Sequence, residues 1–536
     1  MDSAVFIANG TIVDGARAPT FRGTVVVERG RIAAVERGDI APDAGARVVD
    51  ASGCLVTPGF IDVHSHSDAY LVLEPDAPSK LAQGVTTEVN GQCGGSVAPR
   101  YGEARLSSDW AALLGERLTW RSLAQYREVL AAAKPAINTV QFVGHNTLRS
   151  SVVGYAGRLA SPDELARMTR LLEQSLDEGG WGLTTGLIYQ PGKYSDSAEV
   201  VALAKAAAAK GGFYATHMRS EGDAILEAID EVIDLVKATG IRAEISHLKT
   251  SGRRNWGKID AVLEKIDSAV ASGLLLGSDR YPYCAAGTDL DVVFPDWAGE
   301  GGAPAEMERL RDPSLRARIV AEIDACGRDW SSVMIGGTWS GKTKPYSGKT
   351  VAEILGGQST DGTRQSDGEC RMSPGALVCR ILELDGCKTG AFFFGMSEDN
   401  LDKIYSRPYV LAGSDASLRA PWGPLGADHP HPRAYATMPE FYVRLRRLGF
   451  SREETVARMT GDAARRFEIR GRGVVERGAF ADIVIWKEDE FASASTYVAP
   501  HSFAKGVKCV MVNGAVSYLD GKFTGDRAGR FLERNG

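Results

Sequence analysis

The sequence predicts an α/β protein, a (β/α)8 TIM-like barrel with a small β-sandwich domain formed from both chain ends. Three observations predict it: short β-branched segments at both ends, eight short apolar runs in the middle, and amphipathic helical stretches between those runs. The length of 536 residues accommodates one barrel with insertions and one small additional domain.

The two chain ends have the same strand pattern. The N-terminal segments AVFIANGTIVDG, TVVVERGRIAAVERG and ARVVDASGCLVTPGF alternate and are separated by Gly and Asp-Gly turn signals. The C-terminal segment GVKCVMVNGAVSYLDGKF contains an Asn-Gly hairpin signal. Because chain termini often lie close together, we expect residues 1–58 and 468–536 to form the two parts of one sandwich, with the barrel at 59–467 between them.

The middle of the chain supplies the candidate barrel strands. Eight runs alternate with helical segments, as a closed barrel requires: GFIDVHSHS, TTEVNGQ, NTVQFVGH, WGLTTGL, FYATHM, RAEISHL, LLLGSDRY and YVLAGSDAS. The passage around 284–390 is too long for one β-α unit, so we expect an insertion there. Its polar stretch from Gly356 to Gly375 is expected to be extra to the barrel and to affect the entrance to the site.

Composition excludes several classes of function. The net charge is −6 and the basic residues are dispersed, so nucleic acid is not an expected partner. No run reaches the ~18 apolar residues of a membrane span, and the first residues lack the pattern of a secretory signal. Eight cysteines without a CxxC pair indicate reduced thiols, so we expect a cytoplasmic protein without membrane association.

Potential metal ligands follow several of the apolar runs. His64 and His66 are separated by one residue, so on a strand both side chains point to the same face. His217 and His247 each lie at the end of another run, and Asp415 ends a further one. An isolated His-x-His pair is more often structural, but this convergence supplies the ligand types that zinc prefers. The sequence therefore predicts a zinc site at the carboxyl ends of the strands.

Cys93 is a further candidate ligand. It lies between Gln92 and Gly94 in a loop of small residues directly after an apolar run. A thiolate is a good zinc ligand and is deprotonated on binding. The alternative interpretation is a buried, inert cysteine, which describes most free cysteines.

These segments resemble one known family. The words PGFIDVHSHSD, TTEVNGQCGGSVAP, GLTTGLIYQPG, ATHMRSEGD, ISHLK, DRYPY and HPHPR are similar to those of the N-acyl-D-amino-acid deacylases (D-aminoacylases) of the amidohydrolase superfamily. The resemblance runs over nearly the whole chain. It implies zinc-dependent hydrolysis of the amide bond of a small-molecule N-acyl-D-amino acid.

The resemblance also implies a role for each site residue. Cys93, His217 and His247 would hold one tightly bound zinc, and His64 and His66 a second, weaker one. The positions that would bind the substrate carboxylate are Tyr189, Lys249, Tyr281 and Arg433. His145 in VGHNTLR is a candidate for the same cavity, and a structural hydrogen bond is an equally good interpretation.

Asp415 resembles the catalytic carboxylate of the superfamily. A carboxylate beside a metal-activated water can accept its proton as a general base and then protonate the leaving amine as a general acid. The alternative is that Asp415 caps the following helix.

The side chain of the substrate is expected to be neutral, hydrophobic or basic. The segment TDLDVVFPDWAGEGG, where specificity loops are expected, contains no Lys or Arg and carries Asp289 and Asp291. Two other activities remain open, hydrolysis of a cyclic imide or hydantoin and hydrolysis of a D-residue dipeptide. A catalytically silent scaffold barrel is a third alternative, because fold does not imply function.

Overall fold

The computed structural model describes residues 4–38, 40–42, 45–106, 108–356 and 372–534. Most of the polar stretch predicted from Gly356 to Gly375 therefore lies outside the described residues. Within the described ranges, no helix combines the length and the apolar character needed to cross a membrane.

The strands are numbered in the order in which they occur along the chain. They are β1 (Val5–Ile12), β2 (Phe21–Glu28), β3 (Arg31–Arg37), β4 (Arg47–Asp50), β5 (Leu55–Pro58), β6 (Phe60–Asp62), β7 (Val85–Asn90), β8 (Asn138–Gln141), β9 (Val143–Gly144), β10 (Gly182–Gly186), β11 (Phe213–His217), β12 (Arg242–Ile245), β13 (Leu276–Arg280), β14 (Ala285–Asp289), β15 (Val333–Ile335), β16 (Gly390–Phe394), β17 (Val410–Ala412), β18 (Ile483–Trp486), β19 (Val507–Val512), β20 (Ala515–Leu519) and β21 (Lys522–Phe523).

The α-helices are numbered in the same way. They are α1 (Tyr70–Leu73), α2 (Pro78–Leu81), α3 (Ser108–Leu114), α4 (Leu123–Ala133), α5 (His145–Val152), α6 (Pro162–Asp177), α7 (Ser197–Ala209), α8 (Ile225–Thr239), α9 (Ile259–Ala271), α10 (Asp296–Gly299), α11 (Ala303–Arg311), α12 (Pro313–Ala325), α13 (Val351–Gly356), α14 (Pro374–Asp385), α15 (Glu398–Tyr405), α16 (Arg433–Arg447), α17 (Arg452–Met459) and α18 (Gly461–Arg466).

Parallel strands close into the predicted barrel. The order β6-β7-β8 continues through β9-β10-β11-β12-β13-β17, and Phe142, between β8 and β9, donates its backbone N–H to Asn90. The first and last strands meet where the Val63 N–H donates to the Ala412 carbonyl at 3.2 Å and Ser65 forms a bridge to Ala416. All eight predicted runs contribute, with β8 and β9 counting as one interrupted strand, so the predicted barrel is confirmed.

The helices between the barrel strands follow local sequence signals. In α6, Ser161 and Glu164 form a capping box and Pro162 occupies the first turn. Helix α8 ends where Gly240 adopts a φ of 66°, a left-handed conformation that favours glycine. Because helices connect successive parallel strands, the carboxyl ends of those strands lie on one face of the barrel.

The two chain ends share one nine-stranded sheet. Strand β5 joins them, because it pairs parallel with β1 and antiparallel with β18. Along β18 the side chains alternate: Ile483 and Ile485 pack in the apolar cluster of this domain, whereas Val484 and Trp486 pack in the core of the barrel. The sheet therefore buries both of its faces at this strand. The boundaries at 58 and 467 stay a prediction.

The segment between β13 and β17 forms a small unit with its own apolar core. It contains the antiparallel sheet β14-β16-β15 and the helices α10 to α14. Leu290, Ile335 and Leu382 are fully buried in its core. This unit lies over the carboxyl ends of the barrel strands, because residues of β14 and β16 line the same cavity as the candidate metal ligands.

Candidate metal centre

Each predicted ligand lies at the carboxyl end of a barrel strand. His217 is the last residue of β11, and the others lie two to four residues beyond the ends of β6, β7, β12 and β17. Cys93, His247 and Asp415 have positive φ angles of 54°, 39° and 50°. This conformation is uncommon and strained for residues other than glycine. Strained backbone of this kind clusters at functional sites, and here it occurs after three different barrel strands.

Four of the side chains converge on one point. The Cys93 Sγ lies 3.4 Å from His64 Nε2 and 3.3 Å from His247 Nε2. His64 Nε2 is 3.4 Å from Asp415 Oδ1, and one ligand atom of each of these four residues lies within 4.8 Å of the others. His217, Glu221 and His247 form a second such group. The two groups share His247, so they form one connected centre.

The donor set fits zinc. Neither ring nitrogen of the buried His217 makes a hydrogen bond within the described chain, and buried polar atoms normally have partners. Burial would raise the pKa of the Cys93 thiol, but the charges of His64 and His247 and its hydrogen bond to His247 hold that pKa well below its ordinary value. A thiolate with imidazoles is a ligand set that zinc prefers.

Asp415 lies between the candidate metal ligands and a guanidinium. Its Oδ1 is 3.1 Å from His66 Nε2, and its Oδ2 accepts a hydrogen bond from Arg433 at 2.7 Å. Burial would raise the pKa of the Asp415 carboxyl, but Arg433 and the adjacent histidines hold it well below its ordinary value. The carboxylate is therefore ionised and can accept a proton.

The predicted substrate-binding residues surround the same cavity of about 560 Å³. The ring centres of Tyr189 and His217 are 4.9 Å apart in an edge-to-face arrangement. Tyr281 is fully buried, and its hydroxyl makes no hydrogen bond within the described chain. The guanidinium of Arg433 lies 4.5 Å from the centre of the Tyr281 ring, and Lys249 contacts His247 at 2.8 Å. The structure thus brings all four beside the metal centre.

The structure shows two residues beside the candidate ligands, Asp279 and Glu221, that the sequence pattern did not identify. Asp279 accepts a hydrogen bond from the His247 backbone at 2.9 Å and lies 3.1 Å from His64 Nδ1. Glu221 forms an ion pair with Lys249 and lies 2.9 Å from His247 Nδ1. The available signal for Asp279 was its place at the end of the run LLLGSD, the same pattern that identified the ligands.

His145 has a structural role in this structure. Its Nε2 lies 2.7 Å from Glu199 Oε1, and His145 is absent from the lining of the cavity. Of the two interpretations, the structure favours the hydrogen bond over the cavity.

Comparisons with known proteins define the family to which the chain belongs. Residues 47–330 match the model of the amidohydrolase family, which covers more than half of the chain, so the protein belongs to that family. Within it, the chain is 32% identical over 99% of its length to the N-acyl-D-glutamate deacylase of Alcaligenes xylosoxydans xylosoxydans and covers 96% of that relative. It is also 32% identical over 99% of its length to the D-aminoacylase of the same organism and covers 97% of it. The chain therefore belongs to the N-acyl-D-amino-acid deacylases, enzymes that hydrolyse linear amides.

Solved structures agree with this assignment. A D-aminoacylase structure has a TM-score of 0.81 at 33% identity, with 99% of both chains covered. The N-acyl-D-glutamate deacylase of Bordetella bronchiseptica, in complex with zinc and a phosphonate mimic of the tetrahedral intermediate, has a TM-score of 0.81 at 32% identity, again with 99% of both chains covered. The predicted family is confirmed.

Proposed function

We propose that the protein hydrolyses the amide bond of N-acyl-D-amino acids with zinc as its cofactor, releasing a carboxylate and a free D-amino acid. One observation carries the proposal: a thiolate and imidazole donor set, an ionised carboxylate and a buried guanidinium line the same cavity. The relatives named above are N-acyl-D-glutamate deacylases and D-aminoacylases, and solved structures contain zinc in the Bordetella enzyme and a binuclear metal centre in a D-aminoacylase.

The metal ligands divide into two groups in this proposal. Cys93, His217 and His247 hold the tightly bound zinc, and His64 and His66 contribute to a second, weaker position. When bound, zinc supplies a Lewis acid that lowers the pKa of water and polarises a carbonyl. The structure of a D-aminoacylase relative was described in terms of activation by one metal and attenuation by a second, which supports unequal roles for the two positions.

Asp415 transfers the proton. Its carboxylate accepts a proton from the attacking water and donates it to the nitrogen of the leaving amine, which prevents expulsion of an amide anion. The contacts to His66 and Arg433 fix the orientation of the carboxylate. The same residue therefore acts first as base and then as acid.

Arg433 and Tyr281 bind the carboxylate of the substrate. The Arg433 Nε and the Tyr281 hydroxyl are buried donors without a hydrogen-bond partner in the described chain, so both can donate to an incoming carboxylate. Lys249 adds positive charge beside them, and Tyr189 closes the adjacent wall. These residues bind the carboxylate and thereby orient the amide toward the metal centre.

A matched panel of enantiomers tests the proposal. Zinc-loaded protein is assayed on the N-acetyl derivatives of D- and L-leucine, methionine and phenylalanine, with a hydantoin and a D-dipeptide as competing substrates. We expect hydrolysis of the N-acetyl-D-amino acids. Hydrolysis of all the other compounds should be at least tenfold slower. Equal rates on both enantiomers, no hydrolysis, or a clear preference for the hydantoin or the dipeptide would contradict it.

A further inference from the structure

A side branch of the cavity opens at the metal centre. It has a volume of about 430 Å³, and Cys93, Tyr189 and Thr288 line both the branch and the main cavity. A group attached to the substrate close to the scissile amide can therefore enter the branch directly.

Acidic side chains outnumber basic ones in the lining of the branch. The carboxylates of Asp289, Asp291 and Glu306 line it. Of the two basic residues in its lining, Lys193 pairs with the exposed Asp296 at 3.2 Å. The other, Arg105, is itself exposed and lies 5.0 Å from the centre of the Tyr155 ring.

Glu306 is buried at the inner wall of the branch. Glu306 lies on α11 and is only 3% exposed. Its Oε2 atom makes no hydrogen bond within the described chain. Burial and the negative charge of Glu306 raise the pKa of the nearby Asp291 carboxyl. Burial likewise raises the pKa of Glu306 to about 7, and its side chain is hydrogen-bonded to that of Asp291, so near neutrality the pair retains a proton in place of a second full charge. A cation bound at the pair lets both carboxyls ionise, so this wall is suited to a positively charged ligand.

The remaining walls of the branch are apolar. Ile188, Val292, Phe294 and Pro295 contribute to them. Such walls can accommodate the methylene stem of a lysine-like or arginine-like group, whose charged end then reaches the carboxylates.

We propose that this branch, through Glu306 and Asp291, binds an ammonium or guanidinium group carried by the substrate. The inference rests on the proposed function and identifies its preferred substrates as cationic. The cation is carried either by the side chain of the D-residue or by the acyl group. A neutral substrate of the same shape gives this pair of carboxyls no cationic partner, and a site built to pair a polar group strongly rejects analogues that lack it.

Two pairs of substrates test the proposal and distinguish the two carriers. The first pair is N-acetyl-D-lysine and N-acetyl-D-norleucine, and the second is N-(6-aminohexanoyl)-D-norleucine and N-hexanoyl-D-norleucine. We expect the cationic member of one pair to have a kcat/KM at least tenfold higher than its neutral partner. A ratio near one, or below one, in both pairs would overturn the proposal.

Variants connect the preference to the branch. Glu306→Gln and Asp291→Asn should each lower the cationic-to-neutral ratio at least fivefold. Glu308→Gln, an exposed position on the same helix, is the matched control and should leave the ratio unchanged. An unchanged ratio in both branch variants would overturn the proposal, as would an equal fall in the control.

Calorimetry of the reaction products separates failure of this inference from failure of the proposed function. D-lysine is compared with D-norleucine, and 6-aminohexanoate with hexanoate, so no turnover is needed. Tighter binding of one cationic product by at least tenfold, without hydrolysis of any N-acyl-D-amino acid, supports the branch and contradicts the proposed function. Hydrolysis of N-acetyl-D-norleucine without any preference for cationic compounds contradicts the branch alone.

Discussion

Asp279 connects two candidate metal ligands, and its replacement by asparagine tests how strongly the protein orients them. One carboxylate oxygen accepts the His247 N–H at 2.9 Å, and the other lies 3.1 Å from His64 Nδ1. Asp279 is 1% exposed, so water does not screen these contacts appreciably. Asparagine keeps the shape and one acceptor oxygen but removes the charge.

The size of the effect follows from the contact that is lost. A hydrogen bond to a charged group contributes roughly 1.5–3 kcal/mol, which corresponds to about a 10- to 100-fold change in an equilibrium constant. Loss of a partner that orients a metal-bound histidine has effects of about the same size. We therefore expect Asp279→Asn to weaken binding of the second zinc, the one at His64, by about 10- to 100-fold, while the tightly bound zinc is retained and the protein remains folded.

Competition with a chelator of known affinity measures this change, and circular dichroism monitors the fold. Asp260→Asn is the matched control, because Asp260 is exposed and pairs with Lys403 at 2.6 Å. An affinity of Asp279→Asn for the second zinc within twofold of that of the unchanged protein would refute the reasoning, as would an equal loss in the control.

Three further predictions concern the metal, the substrate and pH. Cys93→Ala should lose most of its zinc, whereas His64→Ala should retain roughly one zinc per chain; elemental analysis checks this, and equal losses would contradict the division of ligands. Arg433→Met should raise the KM for N-acetyl-D-leucine by about 10- to 100-fold, with a much smaller change in KM for an N-acetyl amine that lacks a carboxylate. Because Arg433 also orients Asp415, kcat should fall for both compounds in steady-state kinetics, so equal changes in KM would exclude the carboxylate role. Burial raises the pKa of Glu244 from 4.5 to about 8, so the folded protein retains a proton that the unfolded chain releases, and Glu244 lowers stability as pH rises from 4.5 to 8. In urea unfolding, Glu244→Gln should therefore be more stable than the unchanged protein at pH 8 by at least about 1.4 kcal/mol, one pKa unit, and the advantage should shrink toward pH 5; equal pH dependence would contradict this.

The barrel and most of the site could be predicted from local sequence. Strands buried on both faces give short continuous apolar runs, and their carboxyl ends meet on one face of the barrel. A ligand such as His217 is therefore marked by its position directly at the end of a run. Cys93 needed the family resemblance, because its loop position alone is equally compatible with an inert thiol.

Contacts between distant parts of the chain could not be predicted in this way. His64 and Asp279 are 215 residues apart in sequence, and no local pattern couples them. His145 and Glu199, which are 54 residues apart, show the same limit, because the partner decides whether the histidine is structural. The acidic branch similarly depends on the packing of the inserted unit, which places Glu306 beside the cavity.

X-ray absorption spectroscopy at the zinc edge tests the central claim most directly, that Cys93 with His217 and His247 holds the zinc on which deacylation depends. The measurement uses protein loaded with one zinc per chain. We predict a first coordination shell with one sulfur scatterer and the multiple scattering of two imidazoles. A shell of oxygen and nitrogen alone would contradict the account.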